Sequence, residues 1–92
     1  MIARMWESRI RPERFDDFCA WVRDVAWPEY ATATGFAGGE LYRSDEQQRA
    51  VVVTRWSDVD ALAAGSEWFD LGAESFCEGR PRAWEFTPVL VD

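Results

Sequence analysis

Ala50-Val51-Val52-Val53-Thr54-Arg55-Trp56 is the clearest β-strand of the chain. Successive side chains of a strand point to opposite faces. Three consecutive valines therefore make both faces apolar, which places this strand in the middle of a sheet covered on both sides. Upstream, the polar run Ser44-Asp45-Glu46-Gln47-Gln48 reads as a turn, and Phe36 to Arg43 as its partner strand, weakened at its start by Gly38-Gly39. Downstream, Ser57-Asp58-Val59-Asp60 opens a helix, with Ser57 as cap and Asp60 at the reciprocal position of a capping box. Val59, Leu62 and Ala63 begin an apolar stripe, Gly65-Ser66 interrupts it, and Phe69, Gly72, Ala73, Phe76 and Cys77 continue it until Gly79 and Pro81. Arg82 to Val91 reads as a last strand, confined to a sheet edge by Pro88 within it.

On the N-terminal side, residues 2–10 alternate as a strand. Ile2, Arg4, Trp6, Ser8 and Ile10 share one face, and Ala3, Met5, Glu7 and Arg9 the other. Pro12 suits the first position of a helix. Phe15, Phe18, Cys19, Val22, Val25 and Ala26 give that helix one apolar stripe. Trp27 precedes Pro28 and is pushed away from helical angles. The helix is thus expected to end near Ala26, with Pro28 opening a further turn through Tyr30 and Gly35 as terminator.

The order is β-α-β-β-α-β, the ferredoxin-like split βαβ pattern of the α+β class, over one domain of residues 1–92. Right-handed crossovers put strands one and three in the centre of a four-stranded antiparallel sheet, with both helices on one face. The other face stays apolar, because strand three and either Trp6 or Met5 of strand one contribute to it. A soluble monomer rarely tolerates that much exposed apolar surface. A second copy, sheet against sheet, is the expected partner, giving a homodimeric α+β barrel.

Composition excludes several chemistries. The chain has 10 basic and 17 acidic residues, a net charge of −7, and no His, Lys or Asn. An acidic domain repels phosphate backbones and anionic lipid, so neither nucleic acid nor membrane is an expected partner. Without His or Lys there is no imidazole base, no His-held metal or haem, and no Schiff-base lysine. No apolar run approaches the ~20 residues of a membrane span, and Met1 to Glu7 alternates and carries charge, unlike a signal peptide. A cytoplasmic protein is expected. Cys19 and Cys77 fit buried free thiols; a redox pair is the other reading.

Candidate site residues follow from what remains. Six tryptophans in 92 residues is a large share. Trp6, Trp56, Trp68 and Trp84 either line a flat pocket for an aromatic ligand or supply bulk to the core and interface. Arg4 and Arg55 lie on adjacent central strands, where a guanidinium needs a partner: a ligand oxygen, or Glu7, Glu40 or Glu85. Tyr42 either donates to a ligand oxygen or is a wet edge-strand aromatic. Glu7 is a candidate general base if desolvation raises its pKa, and otherwise half of an ion pair.

Met1 to Arg9, Trp27-Pro28-Glu29-Tyr30 with Thr34-Gly35-Phe36, Val51 to Ser57 running into Val59-Asp60-Ala61-Leu62, and Trp84-Glu85-Phe86-Thr87-Pro88 together resemble the antibiotic biosynthesis monooxygenase family of dimeric α+β barrels. The resemblance implies a small cofactor-independent monooxygenase acting on a polycyclic aromatic or quinol-type substrate. Its haem-degrading branch carries Asn at the position of Ser8 and a His on the second helix; this chain has neither. The site implied is Glu7, Arg4 and Arg55 for catalysis, with Trp6, Ser8, Tyr42, Trp56 and Trp68 holding the substrate, and no metal or cofactor. The alternative is a non-catalytic dimeric barrel that binds a small hydrophobic ligand or serves as a structural partner.

Overall fold

The computed structural model describes residues 1–91. Four strands, β1 (Ile2–Arg9), β2 (Phe36–Ser44), β3 (Arg49–Trp56) and β4 (Arg82–Phe86), form one sheet in the order β2-β3-β1-β4. Every neighbouring pair is antiparallel. This is the ferredoxin-like arrangement, with β1 and β3 central and the helices on one face. Its register pairs Trp6 with Val52 on β3 and with Ala83 on β4.

The first helical rod differs from its expected form. A 3-10 turn at Pro12–Arg14 leads into α1 (Phe15–Trp21), a π-helical stretch (Val22–Ala26) and α2 (Trp27–Ala31). The rod does not stop at Ala26, and Trp27 is helical at φ −64° and ψ −45°. The reason lies in the π stretch. Trp27 donates its backbone N–H to the Val22 carbonyl, five residues back. That wider turn makes room for the ring of Pro28, whose missing N–H and bulk would otherwise break the helix. Tyr30 thereby stays on the buried face, whereas Val25 rotates outward and is exposed.

The second helical layer consists of α3 (Val59–Ser66), α4 (Phe69–Ala73) and a 3-10 turn (Glu74–Phe76). Its cap is Asp58, not Ser57: the Asp58 carboxylate accepts from the Ala61 N–H at 2.8 Å. A carboxylate suits that position electrostatically, facing the positive end of the helix. Val59 is consequently exposed, and the inward stripe begins at Leu62. β4 stops at Phe86 and leaves Pro88 beyond the strand. Phe86 pairs with Ala3, next to the first residue of β1, so little partner strand remains to continue the ladder.

Glycine matters where two elements nearly touch. A Cβ on Gly39 would lie 1.9 Å from the Val53 carbonyl oxygen, at the bulge where β2 bends across β3. On α3, a Cβ on Gly65 would lie 2.4 Å from the Trp56 ring.

The core is a continuous aromatic stack between helices and sheet. Trp6 stacks on Phe18 at 5.8 Å and meets Phe69 edge-on at 5.1 Å. Tyr30 stacks on Phe36 at 5.3 Å and meets Trp56 edge-on at 5.7 Å. Both cysteines are free; Cys77 is buried and Cys19 half-buried. Along β3, buried residues alternate with half-buried ones, so the valines do present apolar groups to both sides. The open face carries Met5, Val51, Val53, Tyr42, Trp84 and Phe86, and most of these are exposed. Among the described residues no helix is long and apolar enough to cross a membrane.

Candidate functional site

The helix-facing side of β1 presents Arg4, Trp6 and Ser8 to the helical layer, because alternation turns Met5 and Glu7 away. Asp70, on α4 beside the buried Phe69, comes down onto them. Its Oδ1 accepts the Trp6 indole N–H at 2.7 Å and lies 3.6 Å from Arg4 Nη2. The Arg4 side chain is 13% exposed and that of Asp70 55% exposed. The pair therefore spans from the interior to the surface, and the buried cation has the counter-charge it needs.

Tyr30 completes the cluster from α2. It is fully buried, yet its hydroxyl is a buried side-chain polar atom without a hydrogen-bond partner among the described residues. Burial pushes its pKa well above the ordinary tyrosine value; the positive charge of Arg4 works against that rise. The hydroxyl thus stays protonated at working pH and acts as a donor, never as a base. Buried hydroxyls are nearly always bonded, and the polar side chain that bears on this one is Arg4, whose charge and hydrogen-bonding both favour the ionised form against burial.

Asp70 also forms part of the wall of a surface cleft of about 530 Å³ between α4 and the connection into β4. Glu67, Leu71 and Glu74 line the helical side, and Cys77, Gly79, Arg80 and Pro81 the other. Burial raises the Cys77 thiol above its ordinary pKa, and its S–H points to the Ala73 carbonyl at 3.3 Å, which keeps it a thiol. Among the described residues no three metal-ligating side chains come together.

The residues singled out from the sequence divide between the two sheet faces. Arg4, Trp6, Ser8, Trp56 and Trp68 lie on the helix side. Ser8 is buried and donates to the Arg9 carbonyl at 3.0 Å. Trp56 is core, its N–H bonded to Thr54 Oγ1 at 2.9 Å. Trp68 is half-buried and donates to the Gly65 carbonyl at 2.8 Å.

Glu7, Arg55, Tyr42 and Trp84 lie on the open face instead. Glu7 is 3.4 Å from Arg49. Arg55 holds Glu40 through two bonds of 2.6 and 2.8 Å, which keep the Glu40 carboxyl below its usual pKa. The sheet therefore separates Glu7 and Arg55 from Arg4, and Trp84 from the other tryptophans of the expected pocket.

Two members of the cluster were not singled out. Tyr30 extends the buried series Phe18, Val22, Ala26 by one more step of four residues, a pattern visible in the sequence once the helix is not ended at Ala26. Asp70 carries no such signal: it sits on the polar side of a short apolar helix, like many solvated carboxylates.

Comparison with known proteins bears on the family and the fold. The antibiotic biosynthesis monooxygenase family matches residues 1–66. A Bordetella bronchiseptica protein described as an antibiotic biosynthesis monooxygenase is 32% identical, with 97% of each chain covered and a TM-score of 0.76. A monooxygenase of Streptomyces coelicolor, solved with the ligand nanaomycin D, superposes with a TM-score of 0.78 at 14% identity, over 99% of this chain and 89% of its own. SnoaB of Streptomyces nogalater, a cofactor-independent oxygenase, superposes with a TM-score of 0.73 at 17% identity, over 98% and 94%. No curated protein sequence matches the chain. The family match covers most of the chain, and its fold is the one described above: the chain belongs to the antibiotic biosynthesis monooxygenase family.

Proposed function

We propose that the chain is a cofactor-independent monooxygenase acting on a polycyclic phenol or quinol-type substrate. The observation that carries this reading is the cluster of Arg4, Trp6, Tyr30 and Asp70 beneath the helices, from which Asp70 alone reaches the wall of the open cleft. The nanaomycin D ligand of the S. coelicolor monooxygenase and the cofactor independence of SnoaB support the substrate class and the reaction type.

The chemistry is borne by the substrate. Asp70 accepts a proton from the activated position, and Arg4 with the Tyr30 hydroxyl stabilises the resulting oxyanion. The electron-rich anion passes an electron to oxygen and the two radicals combine to a peroxide. For an anthrone-type methylene, the peroxide then loses water. One oxygen atom stays as the new carbonyl, and the other leaves as water with the two displaced hydrogens. The protein supplies a base, a fixed cation and an aromatic wall that limits water. Glu7 and Arg55, on the far side of the sheet, serve the subunit contact in this reading.

The open face supports a homodimer. Its apolar residues need cover, and four of its charges are paired as Glu7–Arg49 and Glu40–Arg55, which lowers the cost of burying those four. Two free cysteines suit a reducing cytoplasm. A second reading, a non-catalytic barrel that binds a hydrophobic ligand, is favoured by one observation: aromatic rings fill the space between helices and sheet.

Oxygen consumption by metal-chelated, flavin-free protein tests the choice. With a panel of anthrones and hydroquinones the proposal expects uptake matched by quinone formation. Saturable ligand binding with no uptake across the panel would establish the second reading.

A further inference from the structure

We propose that Trp6 is the positioning residue of the site: its indole N–H pins one oxygen of the Asp70 carboxylate, Oδ1, and so leaves the other, Oδ2, as the oxygen that takes the substrate proton. The role rests on Asp70 being the proton acceptor of the proposed reaction. Trp6 Nε1 donates to Oδ1 at 2.7 Å, and Arg4 Nη2 lies 3.6 Å from the same oxygen. Both contacts fall on Oδ1 and neither on Oδ2. A carboxylate engaged at one oxygen keeps the lone pairs of the other, and Asp70 forms part of the cleft wall.

Without that bond little would fix Asp70. Its side chain is 55% exposed, and it stands on α4, which is five residues long. A helix that short is marginal by itself, so tertiary contacts place it. Trp6 supplies two of them. Its ring meets Phe69, the residue before Asp70, edge-on at 5.1 Å, while its N–H bonds Asp70 itself. The ring is held in turn: it is 1% exposed, stacks on Phe18 at 5.8 Å and rises from the central strand β1. The carboxylate is therefore anchored to the sheet rather than to its own helix.

The donor suits the task chemically. An indole N–H donates and does not accept, so it holds the carboxylate without competing for the proton. In the step itself the substrate C–H or O–H bond breaks, its electron pair stays on the substrate, and the proton passes to Oδ2. Oδ1 keeps its indole bond, so the reacting oxygen stays aimed at the cleft. The competing role is purely structural, since a buried indole ordinarily finds a partner for its N–H. A structural bond would affect stability alone.

Two measurements on the full chain separate these roles. In isotopically labelled protein the indole N–H resonances report the six tryptophans. Asp70→Ala should move the Trp6 resonance upfield, and further than any other, because a charged acceptor is lost. In oxygen uptake with an anthrone, Trp6→Phe keeps a ring in the core and loses the N–H. It should lower kcat by about ten- to hundredfold, the cost of a misplaced reacting group, with KM within about threefold of wild type. Gly39→Ala, also weakened but on the edge strand β2, should keep its kcat. An unmoved Trp6 resonance in Asp70→Ala, wild-type kcat in folded Trp6→Phe protein, or an equal loss of kcat in Gly39→Ala would each overturn the proposal. The resonance needs neither substrate nor a core variant, so it decides the anchor by itself. No uptake by wild-type protein with the resonance shift intact would instead defeat the proposed activity, removing the positioning role while leaving the bond.

Discussion

Replacing Tyr30 by Phe should make the protein more stable and less active. The Tyr30 ring is held by Phe36, Phe69, Trp56 and Trp68, with centroids 4.9–5.8 Å away, and phenylalanine preserves every one of those contacts. Only the hydroxyl is lost, and that hydroxyl is buried without a partner. An unsatisfied buried polar group costs about 1–3 kcal/mol, so removing it should return about 1–2 kcal/mol. In a domain of this size each 1 kcal/mol moves the midpoint by about 4–8 °C. Urea or thermal unfolding of the ligand-free protein reads the change directly. The same substitution should lower kcat/KM toward the oxidised substrate by about tenfold, the loss of one hydrogen bond to the developing oxyanion. Stability gained with activity lost is the signature of a group kept for function. A Tyr30→Phe protein destabilised by about 1 kcal/mol or more would refute the reasoning, because the hydroxyl would then have a partner in the free protein.

Trp6→Ala should lower stability by about 3–5 kcal/mol in denaturant unfolding, since a nearly fully buried ring in the centre of the core is lost; a loss under about 1 kcal/mol would contradict its placement. Gly39→Ala should cost about 1–3 kcal/mol or more, because the new methyl runs into the Val53 carbonyl oxygen, and a neutral effect would mean that the bulge relaxes freely. Sedimentation at micromolar concentration should give close to twice the chain mass of 10.6 kDa. Trp84→Glu on the open face should shift that species to monomer, and a wild-type monomer would remove the sheet-to-sheet pairing.

Strand order and sheet centre were readable because they rest on alternation and on one doubly apolar strand. Ala50 to Trp56 announced β3, right-handed crossovers put β2 and β4 at the edges, and Gly38-Gly39 within β2 agreed with that, whereas Pro88, read as part of the last strand, lies beyond β4. The π stretch was not readable. Pro28 after Trp27 signals a helix end by local sterics, and only the packing of Tyr30 into the core makes continuation worth a widened turn. The cap shifted by one residue for a related reason: Ser57 and Asp58 are both good caps, and the start of α3 is set by where β3 delivers the chain.

The candidate site was half readable. Alternation grouped Arg4, Trp6 and Ser8 and set Glu7 on the opposite face, but sequence alone did not say which face met the helices. Asp70 became visible only when α4 was laid across β1, a contact 64 residues apart in sequence. Such a contact leaves no local pattern in the chain.

The proposed chemistry turns most directly on which carboxylate takes the substrate proton. Turnover of Asp70→Asn and Glu7→Gln should be measured side by side as oxygen uptake with an anthrone substrate, on protein whose folding is verified by near-UV circular dichroism. Loss of a general base costs about 10²–10⁴ in rate. That loss is expected in Asp70→Asn, with Glu7→Gln within about threefold of wild type. The reverse pattern, full turnover in folded Asp70→Asn and a hundredfold loss in Glu7→Gln, would move the chemistry to the open face of the sheet and contradict the site described here.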